Sequence, residues 1–281
     1  MKGKIYSIVS GIYEIKNLDN SIISIPGSGK LRFNNLTPLV GDFVEHDDKM
    51  ILEILNRKNN FIRPKVANVD QVIVVMSLKE PEFSSFLMDK FLSIIEFKEI
   101  KPVLFFTKID LVDNFYWIEE YKKCGYEVYL IDNKNESDLN KIRQIFKDKT
   151  NVFLGQTGVG KTTTINRLSK NNFETQQISK ALGRGKHTTR VVRIIEFNNG
   201  ELIDTPGFSS LDLDINSLEL AQSFELFKKH FPNCKYRSCL HINENLHDCA
   251  IKRQINISIP QWRYKNYLKL SKETKKERWN E

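Results

Sequence analysis

Eight consecutive residues, Gly155-Gln156-Thr157-Gly158-Val159-Gly160-Lys161-Thr162, carry the spacing GxxxxGK[ST] between an apolar run at 151–154 and a helix-forming run at 161–168. That spacing is suited to holding a polyphosphate. Glycines let main-chain N–H groups wrap the anion, and the start of the following helix adds partial positive charge. Lys161 would bridge the β and γ phosphates and stabilise charge in the transition state, while the Thr162 hydroxyl would coordinate magnesium. With the adjoining Thr163, residues 155–163 form the expected nucleotide cradle. The glycine-bearing stretch at 26–30 does not compete, because Ser24 stands where the first glycine belongs and Leu31 where a hydroxyl is needed.

Three further segments extend this chemistry. Asp204-Thr205-Pro206-Gly207 follows the apolar Leu202-Ile203 and fits DxxG, in which Asp204 holds magnesium through water and the Gly207 N–H senses the γ-phosphate; the same four residues also make a good β-turn. Between the two, Gly183-Arg184-Gly185-Lys186-His187-Thr188-Thr189-Arg190 suits a switch loop, with Thr188 or Thr189 closing on magnesium. Thr107-Lys108-Ile109-Asp110 ends the apolar run VLFF and is similar to the guanine-reading NKxD motif. Asp110 would accept from the ring N–H and exocyclic amine, a pair adenine lacks, with the Lys108 stem over the base. Thr107 replaces the usual Asn, so an amide contact is lost.

Four cysteines occur, three of them between 234 and 249. Cys234-x4-Cys239-x-His241-x7-Cys249 supplies three thiolates and one imidazole, a closed tetrahedral set for one structural zinc ion, with buried free thiols as the alternative. His247 is a competing ligand only one residue from Cys249, where it would crowd the site. Chelation is expected to melt this segment first and leave nucleotide binding in place.

The elements that must position these residues alternate. Residues 1–66 read as short strands and turns, a small β-barrel of OB or SH3-like type. From 67 to 213 strand and helix alternate, with strands at 71–76, 103–106, 127–131 and 151–154 and helices at 83–97, 116–123, 139–146 and 161–168, the pattern of a largely parallel sheet. Asn198-Asn199-Gly200 predicts a hairpin, and so one antiparallel strand. Residues 214–281 are helical and polar around the cysteine cluster and end on a basic stretch. With 40% hydrophobic and 28% charged residues, neither disorder nor a membrane protein is indicated, and no apolar run approaches the ~18 residues of a span. The start lacks a secretory h-region, so a cytoplasmic protein is expected. The net charge of +8 favours an anionic partner such as nucleic acid, against the alternative of a generally basic surface.

The order of these motifs is unusual, since TKxD precedes the phosphate loop. In this respect the chain resembles the circularly permuted RsgA (YjeQ/YloQ) family of small-subunit maturation GTPases. VGDFVEHD, RPKVANVDQVIVV, TKIDL, GQTGVGKTT, GRGKHTTR, LIDTPGF and the cysteine cluster come in that family's order over nearly the whole chain. The resemblance implies an α/β P-loop GTPase domain, circularly permuted, with an N-terminal OB-type barrel and a C-terminal zinc-binding helical module. It also implies use of GTP, Mg2+ and one Zn2+ and binding of the small ribosomal subunit and its rRNA through the flanking modules, and a monomer is expected. Phe208 follows DTPG where Ras-like enzymes carry a water-orienting Gln, so His187, which matches the family's GRxHTT pattern, is the expected catalytic residue beside Lys161. An exposed loop residue or ribosome contact is the alternative for His187. Two departures stand out: Asp132-Asn133 replaces the usual Ser-Ala of the second guanine loop, and the gap from His241 to Cys249 is longer. An RNA-binding module using GTP as a clamp, and an ATP-dependent phosphotransferase, are the rival readings.

Overall fold

The structure, a computed structural model, describes residues 1–62, 64–133, 135–169, 192–204 and 213–277, with backbone alone at Glu136, Ser137, Asp204 and 275–277. The N-terminal unit contains β1 (Lys2–Val9), β2 (Ile12–Asn17), β3 (Ile22–Pro26), the short helix α1 (Gly29–Phe33), β4 (Phe43–His46) and β5 (Ile51–Ile54). β1 pairs antiparallel with β2 and β4, β2 with β3 and β4 with β5, and a bridge from Gly27 to Ile51 closes the ring. Period-two alternation sends Ile5, Ile15, Ile25, Val44 and Ile51 inward, where Leu31 joins them.

After the small pair β6 (Asn60–Phe61) and β7 (Val66–Ala67), the chain builds β8 (Gln71–Ser77), α2 (Ser85–Phe97), β9 (Lys101–Thr107), α3 (Tyr116–Lys123), β10 (Glu127–Ile131) and α4 (Glu136–Arg143). Then come β11 (Thr150–Leu154), α5 (Lys161–Leu168), β12 (Arg193–Phe197) and β13 (Gly200–Asp204). The sheet order is β10-β9-β8-β11-β13-β12-β1-β2-β3, parallel from β10 to β13 and antiparallel beyond. Every residue of β8 is buried, as a strand covered on both faces requires. Val72, Val74 and Met76 face α2 and the terminal segment, whereas Ile73 and Val75 face the side of α4 and α5. Ligands bind such sheets beyond the carboxyl ends of the strands.

The hairpin forms as expected: Phe197 pairs with Gly200 around Asn198 and Asn199, whose φ of 50° and 59° are those of a type I′ turn. Two long-range features lie beyond what periodicity predicts. First, Ser7 of β1 pairs with Arg193 of β12, so barrel and parallel sheet are continuous. Glu201 of β13 secures the join by accepting from Lys4 Nζ, from Tyr6 Oη at 2.7 Å and from Thr150 Oγ1 at 2.8 Å.

Second, the segment from 213 onward, with α6 (Ser217–Ala221), α7 (Glu225–Lys228), α8 (Ala250–Arg253) and α9 (Gln261–Glu277), has no separate core among the described residues. Phe224, Phe227, Tyr267 and Leu270 share one cluster with Met88, Phe91, Leu92 and Ile95 of α2. Arg263 is fully buried there, stacked between Tyr126 and Phe224 with its Nε 3.6 Å from Asp89 Oδ1. Burial pushes the Asp89 carboxyl up to about 6, against the pull of Arg263. No helix among the described residues is long and apolar enough to cross a membrane.

Candidate nucleotide site and metal centre

The phosphate loop leaves β11 in a conformation that needs glycine. Gly155 has φ +152°, and a Cβ there would lie 2.1 Å from the Val75 carbonyl of the neighbouring strand. Gly160, at φ +96°, caps α5 and accepts its first helical bond from Thr164 N at 2.9 Å. Val159 is buried and plugs the loop into the core below, while Thr157, Gly158, Thr162 and Thr163 stay exposed at the sheet edge. Lys161 Nζ donates to the carbonyls of Gly155 and, at 2.7 Å, Gln156. Burial alone lowers its ammonium pKa to about 8.

Thr107 ends β9, level with Ser77 of β8 and Ile131 of β10. Its buried hydroxyl donates to the Val159 carbonyl at 2.5 Å. The end of β9 and the phosphate loop therefore meet directly, and Thr107 serves the loop's backbone from within the core. Lys108 is left-handed at φ 54° and reaches the backbone carbonyl of Glu80, a partner that sequence spacing does not reveal because Glu80 follows another strand of the same edge. Asp110 is exposed in the 3₁₀ turn Ile109–Leu111. Beyond β10, Asn133 Nδ2 lies 3.4 Å from Thr164 Oγ1 and its Oδ1 is buried without a partner, so this loop approaches α5. Asp204 ends β13 one residue past the Val152–Ile203 pairing, which places its backbone at the same edge. His187, Thr188, Thr189 and Gly207 lie outside the described residues.

At the far end of the chain Cys234, Cys239, His241 and Cys249 bring three Sγ atoms and one imidazole nitrogen within 4.8 Å of one another. His241 Nδ1 stands 3.8, 3.2 and 3.4 Å from the sulfurs of Cys234, Cys239 and Cys249. Main-chain N–H groups of Ala250 and Lys252 point at the Cys234 and Cys249 sulfurs. Burial holds the imidazole pKa down to about 4, so the ring is neutral, as a ligand must be. His247 is exposed beside Asp248 and is not in the cluster. This donor set fits a tetrahedral metal ion with no open position.

The model of the RsgA GTPase family matches residues 54–214, more than half of the chain. The chain belongs to the RsgA GTPase family. The RsgA N-terminal domain matches residues 2–50. A protein of Mycoplasmopsis agalactiae named small ribosomal subunit biogenesis GTPase RsgA is 51% identical over 280 residues, covering 99% of each chain. Its Bacillus subtilis namesake is 40% identical, over 98% of this chain and 97% of its own. Among solved structures, YloQ, described as a circularly permuted GTPase, matches with TM-score 0.78 and 35% identity over 98% of this chain and 95% of its own. YjeQ from Thermotoga maritima matches with TM-score 0.80 and 30% identity, over 97% and 98%. This RsgA-family chain thus has the circularly permuted GTPase fold preceded by the family's N-terminal domain.

Proposed function

We propose that this chain hydrolyses GTP with magnesium and acts in late maturation of the small ribosomal subunit, as a cytoplasmic monomer holding ribosomal RNA through its flanking parts. The observation that carries the reading is the Thr107–Val159 contact, which joins a TKxD strand end to a phosphate loop in permuted order. Relatives at 40% to 51% identity over nearly the whole chain bear the name of small-subunit biogenesis GTPases, which supplies the cellular partner. The ring order β1-β2-β3-β5-β4 supports an OB-type barrel for residues 1–66. We assign the nucleotide to 67–213, with Gly155 to Thr163 on the phosphates, Thr162 and Asp204 on magnesium, and Lys108 and Asp110 on the base. The Cys3His set of the 214–281 part would hold one zinc ion in a structural role. Phosphate release measured with and without small subunits tests the whole: stimulation supports it, whereas GTP binding without turnover in either condition would leave a clamp.

Base reading has its own test. Asp110→Asn should lower the preference for GTP over xanthosine triphosphate by about a hundredfold or more, because the xanthine carbonyl replaces the amine that the carboxylate accepts from. Competition binding that leaves the preference unchanged would move guanine reading elsewhere.

For the hydrolytic step we assign water positioning to His187, since Phe208 cannot hydrogen-bond water. His187→Ala should reduce subunit-stimulated turnover by about a hundredfold and spare GTP affinity, the pattern of a group acting in the transition state. A parallel loss of affinity would instead make it a residue that shapes the bound switch.

A further inference from the structure

Five basic side chains in and beside the strand ring already face acids: Lys2 with Glu45, Lys4 with Glu201, Lys16 with Glu196, Arg57 with Asp42 and Lys58 with Asp70. Lys30 and Arg32 differ. Neither has an ion pair among the described residues, and no Asp or Glu occurs anywhere from 20 to 41. Their placement follows from one anchor. Leu31 of α1 is 4% exposed and sits in the ring core with Ile5 and Ile51, so its neighbours must project outward. Lys30 and Arg32 are exposed, and Phe33 beside them is 89% exposed, more than any other large apolar side chain among the described residues.

This arrangement is held in shape. Asn34 N donates to Lys30 O at 3.1 Å, Asn35 N to Arg32 O at 3.1 Å and Leu36 N to Leu31 O at 2.9 Å. An aromatic ring presented face-free to water, flanked by two unpaired cations and the exposed amides of Asn34 and Asn35, is a poor seat for an apolar protein surface. It matches an unpaired base between phosphates.

We propose that Lys30, Arg32 and Phe33 form a binding patch for single-stranded RNA, with Phe33 stacking on one base and the two cations meeting the flanking phosphates. The proposal rests on the reading of the chain as a small-subunit maturation factor and adds how its N-terminal unit grips RNA. Ordering of the loop before binding limits the entropy lost on association.

The test uses the full chain, a labelled oligouridylate of about ten nucleotides and, separately, purified small subunits. Phe33→Ala should weaken oligouridylate about tenfold, Phe33→Leu should weaken it similarly, and Phe33→Trp should retain affinity, since only a ring can stack. Lys30→Ala with Arg32→Ala should reduce the slope of log affinity against log salt by about 1.4, the release expected for two phosphate contacts on a single strand. GTP turnover without subunits should be unchanged in every variant, which checks the fold. Wild-type affinity in all variants, for a wild-type chain that binds both probes, overturns the patch alone. A wild-type chain that binds neither probe overturns the maturation reading with it. Losses confined to subunits, with oligouridylate unaffected, assign the surface to protein and overturn the RNA assignment.

Discussion

Lys161→Ala is expected to reduce GTP turnover by roughly 10²- to 10³-fold and to leave the fold intact. The loss follows from removing a preorganised cation at the place where phosphate charge develops, an effect of that order when one such donor is deleted from an enzyme site. The intact fold follows from where the lysine stands. Its ammonium is sheltered by the loop carbonyls of Gly155 and Gln156, and burial has lowered its pKa to about 8 from the ordinary lysine value. A native state that binds protons less readily than the unfolded chain is disfavoured at low pH and gains stability as pH rises from about 8 to the unfolded value. At neutral pH the alanine variant therefore escapes that burial cost, and its melting midpoint should be equal to or above that of the wild type. Nucleotide reverses the sign, because phosphates favour the charged form. Wild-type GTP affinity should then fall by up to about tenfold per pH unit above pH 8, with proton uptake measurable by calorimetry in buffers of different ionisation enthalpy. Phosphate release at the wild-type rate in the alanine variant would defeat the phosphate-loop assignment.

Removal of metal from the Cys3His set should have an effect of similar size, on stability. Under reducing conditions Cys239→Ser is expected to lose zinc and to lower the melting midpoint by on the order of 10 °C, as about 4 kcal/mol would in a domain of this size. Three sulfurs and an imidazole within 4.8 Å are costly to hold together without a cation, and burial and mutual repulsion push the Cys239 thiol far up. The sequence alone predicts that such a loss spares the nucleotide part. The shared core changes that expectation. Phe227 packs at 5.8 Å against His241 and at 5.1 Å against Tyr267, and Phe227 and Tyr267 belong to the cluster that covers α2. Releasing the ligands therefore loosens one face of the parallel sheet, so a single broadened transition is expected and GTP should protect against it only partly. Metal analysis finding no zinc in the reduced protein, or an unchanged midpoint in Cys239→Ser, would remove the metal centre.

The phosphate loop, the TKxD segment and the Cys/His cluster were legible because each is a local constellation, complete within about sixteen residues, whose chemistry is set by spacing. The hairpin at 198–199 was legible for the same reason, since Asn-Asn-Gly selects positive φ wherever it occurs. The helix 116–123 was legible because its buried residues, Ile118 and Tyr121, recur at helical spacing on one face.

By itself, then, the sequence determined the order of the motifs, the family they mark and the alternation of strand and helix that carries them. Tertiary structure alone decided which distant groups meet. Thr107 reads as a weakened base contact until its hydroxyl is found on the Val159 carbonyl 52 residues away. Arg263 lies in the terminal part that reads as helical and polar, yet it is buried between Tyr126 and Phe224. The barrel reads as a separate module until β1 pairs with β12. The terminal segment likewise reads as a metal-held unit until its aromatics are seen to share a core with α2. In each case the deciding contact joins residues far apart in the chain, and local periodicity records which face is buried but not what buries it.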